Sequence, residues 1–210
     1  MAQTTQTNDA RTHWNERFAA PGYRFGTAPN RFLESQKHRL MKGQRALAVA
    51  DGEGRNGVWL ARHGLNVTSV DISPVGQAKA RALAKEAGVA MEIIEADLAT
   101  WAWPAAAYDV VVAIFIQFAA PPVRAKIFAA MQAALKPGGL LILEGYRPKQ
   151  LDYGTGGPPV AENMYTRELL ESALAAMEIL HLAEYDAEIV EGTGHKGMSA
   201  LIDFVARKRG

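Results

Sequence analysis

The sequence contains no cysteine, and that absence excludes disulfides, thiolate zinc ligands, iron–sulfur clusters and cysteine nucleophiles. It also has little charge of either sign in excess. Twenty-three Lys and Arg stand against 22 Asp and Glu, a formal net charge of +1. No strong field then draws the chain to a phosphate backbone or an anionic lipid surface, and no nucleic-acid partner is expected. Long apolar runs are missing too. The longest, Val110–Ile116, falls far below the ~20 residues of a membrane span. Met1–Thr12 is polar and has no signal-peptide core, so a cytoplasmic location without a membrane partner is expected. No His/Asp/Glu group has the spacing of a metal site, so no metal is expected.

What is present is a chain of 210 residues, 49% of them hydrophobic, enough for one domain over 1–210 that buries roughly 70% of its unfolded surface. Residues 1–12 are expected to be flexible. Short β-branched runs alternate with helix-patterned stretches, which points to an α/β fold with a mostly parallel sheet covered on both faces. The expected strands are Ala46–Ala50, Asn66–Val70, Met91–Glu95, Asp109–Phe115 and Leu140–Glu144. Helices are expected at Gly57–His63, Pro74–Ala87 and Val123–Leu135, and another near Thr166–Met177. Ile179–Val190 and Met198–Arg207 are close enough to pair as a hairpin added to the sheet. Thr12–Leu33 carries five aromatics among Arg, Asn and Pro, and reads either as a helix pinned to the body or as part of a lid, over 13–40, above a pocket.

Ala46-Leu-Ala-Val-Ala50 runs into Asp51-Gly-Glu-Gly-Arg-Asn-Gly57 and then a helical stretch, a strand–tight turn–helix sequence. Gly52 and Gly54 would let a ligand approach the main chain, while the first amides of the helix offer donors and a positive dipole end. The next strand ends at Asp71, placed to accept hydrogen bonds from two ribose hydroxyls. Ser73 before Pro74 can cap the following helix, which leaves Asp71 for a ligand. Asp97 ends a third strand, where it can meet an adenine amino group while Ile72 and Leu98 sandwich the ring; alone it reads equally well as a solvated turn residue. A nicotinamide dinucleotide and S-adenosylmethionine both fit the first two features. The turn Leu135-Lys-Pro-Gly-Gly139 has no obvious place in a dehydrogenase and favours the second.

These segments together resemble a class I S-adenosylmethionine-dependent methyltransferase, in the branch similar to tellurite-resistance and thiol or thiopurine methyltransferases. The resemblance runs through Trp14-Asn-Glu-Arg-Phe18, Phe25-Gly-Thr-Ala-Pro-Asn30, Gly52-Glu-Gly-Arg-Asn56, Val70-Asp-Ile-Ser-Pro-Val-Gly76, Ala96-Asp-Leu98, Leu135-Lys-Pro-Gly-Gly139 and the trailing hairpin. It implies a Rossmann-like, doubly wound, seven-stranded sheet with a C-terminal antiparallel hairpin. It also implies S-adenosylmethionine as cofactor, S-adenosylhomocysteine as its product, and a small-molecule methyl acceptor, a thiol or chalcogen compound by family likeness. Trp14, Arg17, Asp51, Gly52, Gly54, Asn56, Asp71, Ile72, Asp97 and Leu98 are the cofactor-binding residues it suggests. The family's first motif is acidic-x-Gly-x-Gly, but here Ala48 takes the acidic place and Ala50 that of the first glycine. Asp51 is expected to supply the carboxylate for the methionine ammonium from its shifted position.

Methyl transfer from a sulfonium is an in-line displacement that needs alignment above all, and a base only when the nucleophile arrives protonated. Residues beyond the fourth and fifth strands are placed to meet the acceptor: Phe115, Gln117, Tyr146, Arg147, Gln150 and Tyr153. Of these, Tyr146 and Tyr153 are the catalytic candidates. His195, in Glu191-Gly-Thr-Gly-His195, joins them as a base or orienting group if the hairpin folds back to the same edge; otherwise it is an exposed loop histidine. The alternatives are an NAD(P)-dependent oxidoreductase and a non-catalytic protein that binds S-adenosylmethionine. A monomer or a homodimer suits the composition equally.

Overall fold

The computed structural model describes residues 2–210, and side chains from residue 9 onward. The inner strands form where apolar residues run without interruption, because a parallel strand covered on both faces has no polar side. Arg45–Val49 (β1), Asn66–Asp71 (β2), Glu92–Glu95 (β3), Tyr108–Ile114 (β4) and Leu135–Tyr146 (β5) pair parallel to one another. Met177–Glu191 (β6) and His195–Lys208 (β7) form the antiparallel hairpin, with β7 lying between β5 and β6. The seven-stranded order is β3-β2-β1-β4-β5-β7-β6, the mixed, mostly parallel sheet expected from the sequence.

Alternation along each strand divides the core. Leu47 and Val49 pack with Val111, Ala113, Leu141, Leu143 and Phe204 on one face, whereas Ala46 and Ala48 pack with Val110, Val112, Ile142 and Val205 on the other. Pro121–Ala134 (α5) covers the first face with Ile127, Phe128 and Met131, and Arg167–Ala173 (α6) adds Leu170. Arg31–Ser35 (α2) and Arg55–Arg62 (α3) cover the second with Phe32, Leu33, Trp59 and Leu60. Pro74–Glu86 (α4) starts as its sequence dictates, with Ser73 accepting from the Gly76 amide at 3.0 Å and Pro74 in the first turn.

Two boundaries differ for a local reason. α3 begins at Arg55 rather than Gly57, because Gly54 adopts the left-handed conformation (φ +87°) and serves as its N-cap. The Leu135–Gly139 turn lies inside β5: Leu135 pairs with Tyr108 before the register shifts to Val110 opposite Leu140, so the intervening residues form a bulge. The segment 1–12, expected to be flexible, is helical from Ala2 in α1 (Ala2–Phe18), while residue 1 and the side chains of 2–8 lie outside the described residues. No helix among the described residues is long and apolar enough to cross a membrane.

Between β5 and β7 the chain sets two acids directly opposite each other, Glu144 and Asp203. The Tyr185 hydroxyl bridges the two, 3.4 Å from Glu144 and 3.2 Å from Asp203, and Asn30 donates to Glu144. Burial pushes the Asp203 carboxyl up to about 6; burial, with the nearby Asp203 and Glu191 charges, holds Glu144 well above the carboxylate range. The folded chain therefore keeps protons that the unfolded chain releases near pH 4, and stability present below that pH is lost as pH rises through 6. Asp203→Asn is expected to flatten this loss: its melting temperature should fall less than that of wild type between pH 5 and 8, by about 2–4 °C for each kcal/mol recovered, in a calorimetric pH series.

Candidate functional site

The crossover that makes β1 and β4 neighbours opens a crevice beyond the carboxyl ends of the parallel strands, where open sheets of this kind hold ligands. Ala50, just past β1, has φ +48°, and Phe115, just past β4, has φ +55°. Both are non-glycine residues held in the left-handed region, a strain of about 1–2 kcal/mol each. A cavity of about 280 Å³ lies against them.

The glycine loop is tied to β2 through Asp71. Its Oδ2 accepts from the Gly52 amide and its Oδ1 from the Ser73 amide, both at 2.8 Å. The Ile72 amide also bonds to this carboxylate, and its remaining acceptor capacity is left for the cavity that Asp71 lines. Burial pushes its pKa up to about 6 in spite of these donors. Asp51 accepts from Ser69 Oγ at 2.8 Å and from the Gly57 amide at 3.2 Å, and burial pushes it up to about 7. The chain's own donors engage both Asp51 oxygens, one each, and the carboxyl lies on the cavity wall beside Gly52. Asp97 accepts from the Ala99 amide at 2.9 Å.

Of the cofactor residues expected from the sequence, the cavity wall brings together Asp51, Gly52, Asn56, Asp71 and Ile72, with Asp97, Leu98 and Trp14. His195 faces the same space from the hairpin. Four other residues lie elsewhere. A Cβ on Gly54 would sit 2.6 Å from the Ala80 Cβ, so this glycine lets α3 approach α4 rather than admitting a ligand. Arg17 lies over the Trp14 ring, 5.4 Å from its centroid, and bonds to His13 at 3.0 Å instead of reaching the wall. Tyr146 is buried behind the wall, stacked on Phe115 at 4.6 Å and edge-on to His195 at 5.8 Å. Tyr153 donates to Asp186 at 2.9 Å, away from the cavity. Gln117, Arg147 and Gln150 are likewise spent on main-chain partners: Gln117 brackets Tyr146, Arg147 binds the Leu201 carbonyl, and Gln150 accepts from Ala200. Phe115 is the one residue of that acceptor group on the wall.

Sequence reasoning missed the groups that build the His195 end. The ring is buried against Phe25 and Phe115, at 4.4 and 4.5 Å between centroids. Its Nδ1 lies 3.6 Å from Glu191 Oε2, and that oxygen accepts from Arg55 at 2.6 Å. Burial lowers the His195 pKa; Glu191 raises it, and the Arg55 and Arg24 charges lower it again, so the ring is neutral at pH 7. For Glu191, burial acts upward, but His195 and Arg55 outweigh it and hold the carboxyl at about 2. The Glu191–His195 spacing across a three-residue turn was a signal in plain view. The tip is clamped to the N-terminal segment, since the Thr193 and Gly194 amides donate to the Arg24 carbonyl and a Cβ on Gly192 would meet that oxygen at 2.3 Å. Trp14, Phe18 and Phe25 complete the wall from this side, and Asn15 of α1 accepts from Ser73 Oγ at 2.6 Å.

Residues 46–139 match the family model described as a methyltransferase domain. That domain implies S-adenosylmethionine as the cofactor and S-adenosylhomocysteine as its product. Among solved structures, one described as the conversion of a disulfide bond into a thioacetal group during echinomycin biosynthesis superposes with a TM-score of 0.78 at 17% identity, over 97% of this chain and 91% of that one. TehB from Haemophilus influenzae gives 0.69 at 19% identity, over 85% of this chain and 61% of its own. An S-adenosylmethionine-dependent methyltransferase from Methanosarcina mazei gives 0.69 at 18%, over 87% and 99%. At these identities the likeness establishes the fold. No protein of curated function matches the sequence.

The two loop glycines should separate on mutation. Gly54→Ala combines φ +87° with a collision against Ala80 and should cost on the order of 2–4 kcal/mol of stability, read as a lower melting temperature. Gly52→Ala meets the Phe18 ring tip at 3.0 Å on the cavity wall and should lose S-adenosylhomocysteine affinity by tenfold or more in calorimetry with a smaller thermal shift.

Proposed function

We propose that this chain transfers the methyl group of S-adenosylmethionine to a small molecule that enters beside His195. The observation that carries the reading is the polarity of one cavity: carboxylates beyond adjacent strand ends at one side, and a neutral histidine in an aromatic wall at the other. Asp71 would accept from the ribose hydroxyls with its remaining lone pairs, Asp97 from the adenine amino group, and Ile72 and Leu98 would flank the ring. Gly52 keeps side-chain bulk out of the loop, and Asn56, whose Oδ1 accepts from the Asn30 amide at 2.9 Å, holds the floor in place. Trp14, Phe18 and Phe25 shut out water, and we assign the segment 13–40 the role of a lid.

When bound, the cofactor supplies an electrophilic methyl group on a sulfonium sulfur. The chain's own contribution is first alignment, worth ~7–11 kcal/mol in a near-attack arrangement. Its second is His195, neutral at pH 7 and on the wall, which takes a proton from the acceptor as the new bond forms. The family likeness makes a thiol or chalcogen compound the first acceptor to consider.

Isothermal titration should show S-adenosylhomocysteine binding and NADH failing to bind; the opposite result would replace this reading with an oxidoreductase. Binding without methyl release across thiols, phenols, amines, selenite and tellurite would make the protein a non-catalytic cofactor binder. His195→Ala should lower kcat by about 10²-fold or more, the usual share of a general base, while S-adenosylhomocysteine affinity stays within about threefold.

A further inference from the structure

The ionisable groups on the cavity wall, among the described residues, are Asp51, Arg55, Asp71, Asp97 and His195. Arg55 is the one permanent cation of this set, and it is already committed to Glu191 at 2.6 Å in a pair that is buried on both sides. The wall offers a fully charged anion three carboxylates and an arginine already paired; the cations left to it are Arg24, over the Phe25 ring, and the cofactor's sulfonium, whose charge the transfer itself removes, so a buried anion is poorly matched there.

Glu191 is itself immobilised. Its Oε1 accepts from Asn30 Nδ2 at 3.1 Å and from the Arg31 amide at 3.4 Å, and its Oε2 from Arg55. The Nδ1 of His195 is sealed from solvent and has no hydrogen-bond partner, and Glu191 Oε2 lies 3.6 Å from it. That distance is a few tenths of an ångström beyond a hydrogen bond, the margin that such contacts close when reactants bind. A neutral imidazole with Nδ1 facing a carboxylate carries its proton there and keeps the lone pair on Nε2. The charged and titratable groups around the ring are Glu191 from β6, Arg55 from α3, Arg24 ahead of α2, and Tyr146 from β5.

We propose that Glu191 is a positioning residue that, locked by Arg55 and Asn30, fixes His195 as an Nε2 base, and that the acceptor is an uncharged small molecule whose nucleophile arrives with its proton, a thiol or hydroxyl on an apolar body. The inference rests on the methyl-transfer reading above. In the step, the acceptor S–H or O–H bond breaks, its proton goes to Nε2, and its electron pair forms the new bond to the methyl carbon. The carbon–sulfonium electron pair stays on sulfur, and the imidazolium sits beside the Glu191 carboxylate until it loses its proton to solvent. A selenium or tellurium oxyanion brings charge to a wall whose arginine is already paired, and does not need the base.

The test compares wild type and Glu191→Gln in kcat and KM against pH, with an alkyl thiol, a phenol, selenite and tellurite as acceptors. Wild type should methylate the thiol or the phenol at least tenfold faster than either oxyanion. Glu191→Gln should lower the kcat plateau by tenfold or more and move its acidic limb to lower pH, with KM and S-adenosylhomocysteine affinity within about threefold. A plateau that falls only in step with lost cofactor binding, with the limb unmoved, overturns the positioning role, and oxyanions turned over as fast as the thiol and the phenol overturn the acceptor class. Because Glu191→Gln also strands the Arg55 charge, a second measurement uses the unaltered protein: nitrogen-15 histidine spectra with S-adenosylhomocysteine bound, the His195 signals assigned by their loss in His195→Ala. An Nδ1–H tautomer is expected, and Nε2–H would overturn the proposal. Failure of S-adenosylhomocysteine to bind wild type would strike the parent reading instead, whereas binding with the wrong tautomer would strike this inference alone.

Discussion

One buried ion pair organises the site. Arg55 and Glu191 lie 136 residues apart in sequence, one at the start of the helix after the glycine loop and the other at the end of the edge strand of the hairpin. Taking both charges out of water costs several kcal/mol per ion, and removing either partner from such a pair typically costs about 3–5 kcal/mol. The contact is therefore weak evidence of net stability and strong evidence of place. It sets the hairpin tip at one distance from the loop, and Asn30, capping α2 while donating to Glu144 and Glu191, carries the same constraint to a third element.

The sheet was legible because its inner strands have no choice: a run such as Val110–Ile114 can be buried on both faces only among other strands and covering helices. The nucleoside end was legible for a similar reason, since Asp71 ends a strand beside a glycine turn and the main chain alone sets where it points. The other end depends on side-chain direction and on partners far away in sequence. Tyr146 follows Gly145 on β5, and its ring turns into the packing behind Phe115, which no local pattern announces. Arg17 settles on Trp14, three residues before it, in preference to the wall. Gly54 looks like a ligand-binding glycine but answers to Ala80 on a neighbouring helix, and Glu191 acquires its meaning only when Arg55 arrives from the opposite half of the chain.

The altered first motif has a conformational answer. Where the first motif of the family this chain resembles has a glycine, Ala50 adopts the left-handed shape regardless, at φ +48°, and Phe115 does the same at the end of the adjacent strand. Two strained residues beside one cavity require surroundings that over-determine them. Here these are the Asp51 amide bonded to Val70 and the Phe115 amide bonded to Glu144, each of which holds a strand end against its neighbour. The loop keeps its form without the residue type that usually permits it.

Surface hairpins are ordinarily where a fold drifts, gaining and losing residues with little consequence. The β6–β7 tip has no such freedom. Gly192 and Gly194 pack so closely on Arg24 and Phe25 that even one carbon atom would collide with them, and Phe25 is in turn a wall of the cavity. Over evolutionary time this exposed turn should keep its length as strictly as a core strand does, while Gly154 after β5, with open space where a side chain would stand, is left to vary.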